Sequence, residues 1–131
     1  MDGDPLRELI GKPLSRVKAG RNGLTLVFDK DDTAIELEVT SKAQLTGAGA
    51  EASFPSRAFT KQLKGLRGSG VSDALHVVGL ALEIKFDRDE TLRISLKAGD
   101  FHGLIAARVR VPGKAQAAYH DSGSTTLSLR L

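Results

Sequence analysis

The chain contains no cysteine and no tryptophan, and only one tyrosine. Without cysteine there can be no disulfide, thiolate metal site or cysteine nucleophile. That absence suits a reducing compartment. Aromatic residues make up 5% of the chain, so its interior must be built mostly from Leu, Ile, Val and Ala. Long apolar runs are missing too, and no segment approaches the roughly 20 residues needed to cross a bilayer. The opening MDGDPLRELI is acidic where a secretory signal would be basic. These features lead us to expect a cytoplasmic protein without a membrane partner. The glycines at 47, 49, 65, 68 and 70 form neither GxxxxGK[ST] nor GxGxxG between a strand and a helix, which leaves no phosphate loop and no expected cofactor.

What remains is an ordinary globular composition of 131 residues, 40% apolar and 27% charged. That size predicts a single domain, residues 1–131, with one core. The formal charge is +3 and the pI about 9.4, so the placement of the cations matters more than their sum.

A phrase occurs twice. Residues 24–33 read LTLVFDKDDT and residues 82–91 read LEIKFDRDET, an offset of 82 − 24 = 58. Apolar matches apolar at Leu24/Leu82, Leu26/Ile84 and Phe28/Phe86, and acid matches acid at Asp29/Asp87, Asp31/Asp89 and Asp32/Glu90. Such a repeat predicts a duplicated supersecondary unit. Downstream, Ile35 and Leu37 align with Ile94 and Leu96 at an offset of 59, which predicts a second hairpin loop longer by one residue.

Local patterns supply the elements. Asp4-Pro5 ahead of Leu6, Leu9 and Ile10 predicts a short helix, capped by Asp4 and stopped by Gly11 and Pro13. A strand follows over 14–19, a reversal at Gly20–Gly23, and then two alternating strands that form a hairpin with one apolar face. Residues 41–53 are small and polar and read as a loop, with a short strand near 50–54. Ser56 caps a second helix over 57–66, and Gly68-Ser69-Gly70 ends it. Strands at 74–78 and 82–86 and the alternation of Leu92, Ile94 and Leu96 repeat the first hairpin. Further strands are expected at 104–111, 115–120 and 125–131, with no counterpart in the first half. The fold class is therefore α+β: a duplicated helix-plus-antiparallel-hairpin unit (residues 4–40 and 56–98), two short helices covering one continuous sheet, and extra C-terminal strands over 104–131.

Tandem units of this size resemble one domain of the DNA sliding clamps, the processivity-factor fold. GLTLVFDKDDTAIELEVT is similar to the strand pair near the start of a clamp domain, FPSRAFTKQLKGL resembles the Pro-led helix of the second clamp repeat, and LRISLKAGDF resembles the end of that repeat. The likeness covers residues 14–103 and implies DNA as a partner. Clamps join several such domains into a ring, whereas this chain supplies one, and its strands after 104 have no place in the clamp pattern. The opening LIGKPLSRV with its GLTLVFD hairpin is also similar to small bacterial domains, some of them adaptor or immunity proteins, which implies a protein partner.

Candidate sites have competing plain readings. Arg57, Lys61 and Lys64 lie within about 60° of one another on a helical wheel, and Arg67 extends the stripe if the helix reaches it. Such a stripe can face nucleic-acid phosphates, or it can be the solvated side of an amphipathic helix. The clusters Asp29/Asp31/Asp32 and Asp87/Asp89/Glu90 lack the spacing of a calcium loop and read as hairpin tips, so no metal is expected. His76 reads as a strand residue. His102 and His120, the latter beside Asp121 and Ser122, invite a hydrolase reading, but no nucleophile elbow surrounds Ser122. The final strand, 125–131, either completes the sheet or offers an edge to a protein partner or a second copy. The expected function is a non-catalytic binding or assembly module. It would touch DNA through Arg57, Lys61, Lys64 and Arg67, or a protein through a sheet edge, with a small hydrolase as the third alternative.

Overall fold

A computed structural model describes residues 5–20, 23–30, 33–47, 50–54, 56–101, 103–113 and 115–128. The expected Asp4 cap, the reversal residues Arg21 and Asn22, the hairpin-tip residues Asp31 and Asp32, Pro55, His102 and the last residues of the C-terminal strand lie outside them.

Eleven strands are described: β1 (Leu14–Ala19), β2 (Leu24–Lys30), β3 (Thr33–Val39), β4 (Ala43–Gly47), β5 (Ala50–Phe54), β6 (Val71–Val77), β7 (Ala81–Phe86), β8 (Thr91–Ser95), β9 (Ala107–Val111), β10 (Ala115–His120) and β11 (Gly123–Ser128). One α-helix, α1, spans Arg57–Lys64. The strands form two antiparallel sheets rather than one continuous sheet, in the orders β1-β2-β3-β9-β10-β11 and β5-β4-β8-β7-β6. Alternation along the strands turns Leu24, Leu26, Phe28, Ile35, Leu37 and Val39 of the first sheet inward, where Leu82, Ile84, Phe86, Leu92 and Ile94 of the second join one buried cluster. The rings of Phe28 and Phe86 stack across that interior, centroids 6.4 Å apart at 25°.

The first expected helix is a 3-10 helix over Pro5–Leu9, not an α-helix. Between Pro5 and Gly11 there is room for little more than one turn. In 3-10 geometry residues three apart eclipse, which suits the buried pair Leu6 and Leu9. This short helix packs on β6, β9 and β10, while α1 packs on β1, β4 and β5. Each helix therefore sits where the edge of one sheet meets two strands of the other.

The short strand expected near 50–54 is β5, but the loop expected before it is in large part a strand as well, β4. Three-strand meanders lie side by side as β1-β2-β3 and β6-β7-β8, but each is extended by strands from the other half of the chain. β4 pairs with β8 (Ala43 opposite Ile94), and β9 pairs with β3 (Val39 opposite Ala107). The strands after residue 104 therefore do have counterparts in sheet order: β9 and β10 occupy the places that β4 and β5 occupy in the second sheet. Only β11 is left over.

The second hairpin loop, 87–89, is longer than the first, 31–32, by one residue as expected, but the turn comes two residues earlier relative to the phenylalanine, so the register downstream differs. Phe28 lies opposite Ile35, whereas Lys85 lies opposite Thr91 and the Phe86 amide donates to the Glu90 carbonyl. The loop closes at Asp89, which takes the left-handed φ of 70°. Ile94 therefore sits opposite Leu82, not where an offset of 59 would place it.

Where the two halves meet, backbone hydrogen bonds come in matched sets. The Gly11 amide donates to Val71 O and the Gly68 amide to Leu14 O; the Val71 amide donates to Lys12 O and the Leu14 amide to Ser69 O. The offset is 68 − 11 = 71 − 14 = 57 residues, and Gly11 and Gly68 share positive φ values of 86° and 92°. The amides of Asp29 and Asp87 close the set by donating to Pro13 O and Gly70 O. Both β1 and β6 carry a register shift at the same place, between Leu14 and Arg16 and between Val71 and Asp73.

Candidate nucleic-acid interface

Helix α1 is set by local chemistry. Ser56 has extended backbone, and its hydroxyl accepts the Phe59 amide at 3.1 Å, satisfying one of the free N–H groups of the first turn. Replacing Ser56 with Ala is expected to cost about 1 kcal/mol of unfolding free energy, measured by urea titration. Phe59 and Leu63 are buried on the side facing the sheets, where Phe59 meets Phe54 at 5.6 Å between ring centroids. Their spacing leaves Arg57, Lys61 and Lys64 exposed on the opposite side.

The helix ends at Lys64, not at 66. Leu66 is buried by the irregular turn that follows, and Arg67 lies beyond the helix. The Arg67 side chain folds back so that Nε donates to the Lys64 carbonyl at 3.2 Å. Arg88, which sequence reasoning passed over, reaches the same end from the β7–β8 loop. Its guanidinium donates to Gly65 O at 3.3 Å and lies 3.5 Å from Ser69 Oγ. Two guanidinium groups thus meet the negative end of the helix dipole, a favourable placement for cations. The signal for Arg88 is the repeat, since it follows Asp87 in the second acidic turn, but nothing local ties that turn to the helix.

Arg57, Lys61 and Lys64 line an open cleft of about 530 Å³ whose floor includes Phe54, Ala19 and Gly20, with no carboxylate among its lining residues. Among the described residues none of the three cations has an acidic partner, and α1 contains no acidic residue. A second cleft of about 310 Å³ makes the contrast. There Lys42 lies 3.7 Å from Asp100, Arg93 lies 2.7 Å from Glu83, and Asp100 also accepts the Ser95 hydroxyl at 2.5 Å. Two of its three cations, Lys42 and Arg93, pair with carboxylates, whereas among the described residues none of those on α1 does.

Comparison with protein families, curated proteins and solved structures finds no match.

The remaining candidates fall elsewhere. The His76 ring turns inward and meets the buried Tyr119 edge-on, centroids 4.9 Å apart. His120 Nδ1 lies 3.1 Å from Ser122 Oγ at the β10–β11 turn, a contact between near neighbours on an exposed reversal. Asp87 turns toward Gly70 rather than toward a shared acidic centre, and among the described residues no three His, Asp or Glu side chains converge as metal ligands. No described helix is long and apolar enough to cross a membrane.

Proposed function

We propose that this protein is a non-catalytic module that binds the phosphate backbone of DNA through the exposed side of α1. The observation that carries the reading is the open cleft lined by Arg57, Lys61 and Lys64 with no carboxylate among its described lining residues. Arg67 continues the cationic stripe past the helix end, where Arg88 also reaches from a loop that carries Asp87 and Asp89. Unpaired cations around a concave surface attract polyanions, and their clustering on one face supports this reading over a solvated helix. Phe54 on the cleft floor is only 9% exposed and packs against Phe59, which leaves little ring face for stacking bases. Contact is therefore to phosphates and sequence-independent.

The architecture we propose beneath this function is a duplicated, clamp-like unit. The hydrogen bonds matched at an offset of 57, the paired register shifts and the Phe28–Phe86 stack all support it. In this reading the 3-10 helix over Pro5–Leu9 is the reduced counterpart of α1, and only one of the two retains a cationic face.

Three or four phosphate contacts give weak binding that falls roughly 40- to 150-fold between about 50 and 200 mM salt. Fluorescence anisotropy with a labelled duplex is expected to show that slope, and Lys61→Glu with Lys64→Glu to abolish most of it while thermal unfolding stays unchanged. Equal DNA retention by the double variant would sink the reading.

A further inference from the structure

We infer that β11 is a self-pairing edge through which two copies of this chain join their larger sheets into one. Among the described residues the two sheets end in four edges: β1 and β11 in the larger sheet, β5 and β6 in the other. Three of them are blunted by devices that suppress pairing. β1 carries a register shift and the exposed cations Arg16 and Lys18. β6 carries a register shift, lies against the 3-10 helix, and spends the Ala74 amide on Asp73 Oδ1 at 2.9 Å. β5 is covered by α1 and carries Glu51.

β11 has none of these devices. Its sequence, GSTTLS, is uncharged, and its pairing with β10 runs without a shift from His120–Gly123 to Ala115–Ser128. It is also the one strand without a counterpart in the other sheet, and its side chains at Ser124 and Thr125 are exposed. Ordering a strand costs roughly 1–2 kcal/mol per residue, and exposed Ser and Thr return little of that. An open edge is what this strand adds to the fold.

The occupant is a second copy because the edge is self-complementary. On a chain of net charge +3 it is an edge where two copies meet without bringing like charges together. Counted from the two-residue turn Asp121–Ser122, ladder bonds to β10 alternate, which turns the amides of Ser124, Thr126 and Ser128 to the open side. An antiparallel, two-fold register centred on Thr125 sets Ser124 of each copy opposite Thr126 of the other. The two Thr125 side chains then lie face to face.

Sedimentation equilibrium of the full chain tests this. The wild type is expected to be a dimer. Thr125→Lys, which sets two lysines opposite each other, is expected to weaken the dimer at least about 10-fold, as is Thr126→Pro, which removes an outward amide. Both variants should keep the wild-type circular dichroism, and their melting should lose the concentration dependence that a dimer gives the wild type; if Thr126→Pro does not fold, Thr125→Lys decides alone. A monomeric wild type, including one that pairs only with a foreign strand, overturns the proposal, and so does a dimer that Thr125→Lys leaves intact. Lys61→Glu with Lys64→Glu should leave the dimer unchanged, which separates this outcome from failure of the DNA reading.

Discussion

Replacing Phe28 with Ala is expected to lower the unfolding free energy by about 3–5 kcal/mol, and Phe86→Ala by a similar amount. Each ring is buried between the sheets, so truncation loses transfer free energy and leaves a cavity that the surrounding Leu and Ile residues cannot fill without moving backbone. For a domain whose total stability is about 5–15 kcal/mol, either loss is a large fraction. The rings touch at 6.4 Å and 25°, so the double variant should lose less than the sum of the two. The shortfall expected of an aromatic pair is about 0.5–1.5 kcal/mol. A double-mutant cycle by urea denaturation measures it. Strict additivity would remove the contact between the sheets, and with it the main packing argument that the two hairpins share one interior.

The repeat gives Phe28 and Phe86 matching places on their strands, but not the contact of their rings across two separate sheets. Alternation of Leu24, Leu26 and Phe28, and again of Leu82, Ile84 and Phe86, reports a strand with one wet face, because period two follows directly from the pleat. It does not report which strand lies beside it. β4 (Ala43–Gly47) contains little that favours a strand on its own, yet it is internal to its sheet, with Ala43 and Leu45 buried between β5 and β8. Strand propensity there comes from neighbours that are remote in sequence. The same holds for β9, whose place beside β3 depends on a pairing across some 70 residues, from Val39 to Ala107. The second hairpin loop, 87–89, is one residue longer than the first, 31–32, as expected, but the chain turns two residues sooner after its phenylalanine. Ile94 matches Ile35 in type, but the turn at Asp89 closes early and moves the register.

The candidate interface divides in the same way. Arg57, Lys61 and Lys64 are set by helical periodicity and by the Ser56 cap, both local, and the structure gathers them around one cleft. Arg67 depends on where the helix stops, which is decided by the buried Leu66 turning back into the core. Arg88 depends wholly on tertiary placement. A stripe is readable from sequence; that none of the described carboxylates opposes it is not, because that is a property of the strands against which the helix packs.

Gly47→Ala is expected to be as damaging as loss of a core ring, for a different reason. Gly47 ends β4 with φ of 120°, a region that side chains other than glycine rarely enter. A Cβ built there would collide with the Asp89 carbonyl oxygen and lie 2.9 Å from Glu90 Cα. Both obstacles are backbone atoms of the turn that closes the second hairpin, so no side-chain rotation relieves them. Either β4 withdraws from β8 or the hairpin turn opens, and each route disturbs an internal pairing of the second sheet. The expected loss is about 2–4 kcal/mol in urea denaturation. Asp89→Gly in the same chain should not restore it, since the obstructing oxygen remains. Gly99→Ala is the control, with nothing within 4 Å of its added methyl and no positive φ, and should stay within about 0.5 kcal/mol of wild type. If the two alanine variants behaved alike, β4 could not pass so close beneath the hairpin turn, and the pairing that ties the halves of the chain together would have to be redrawn.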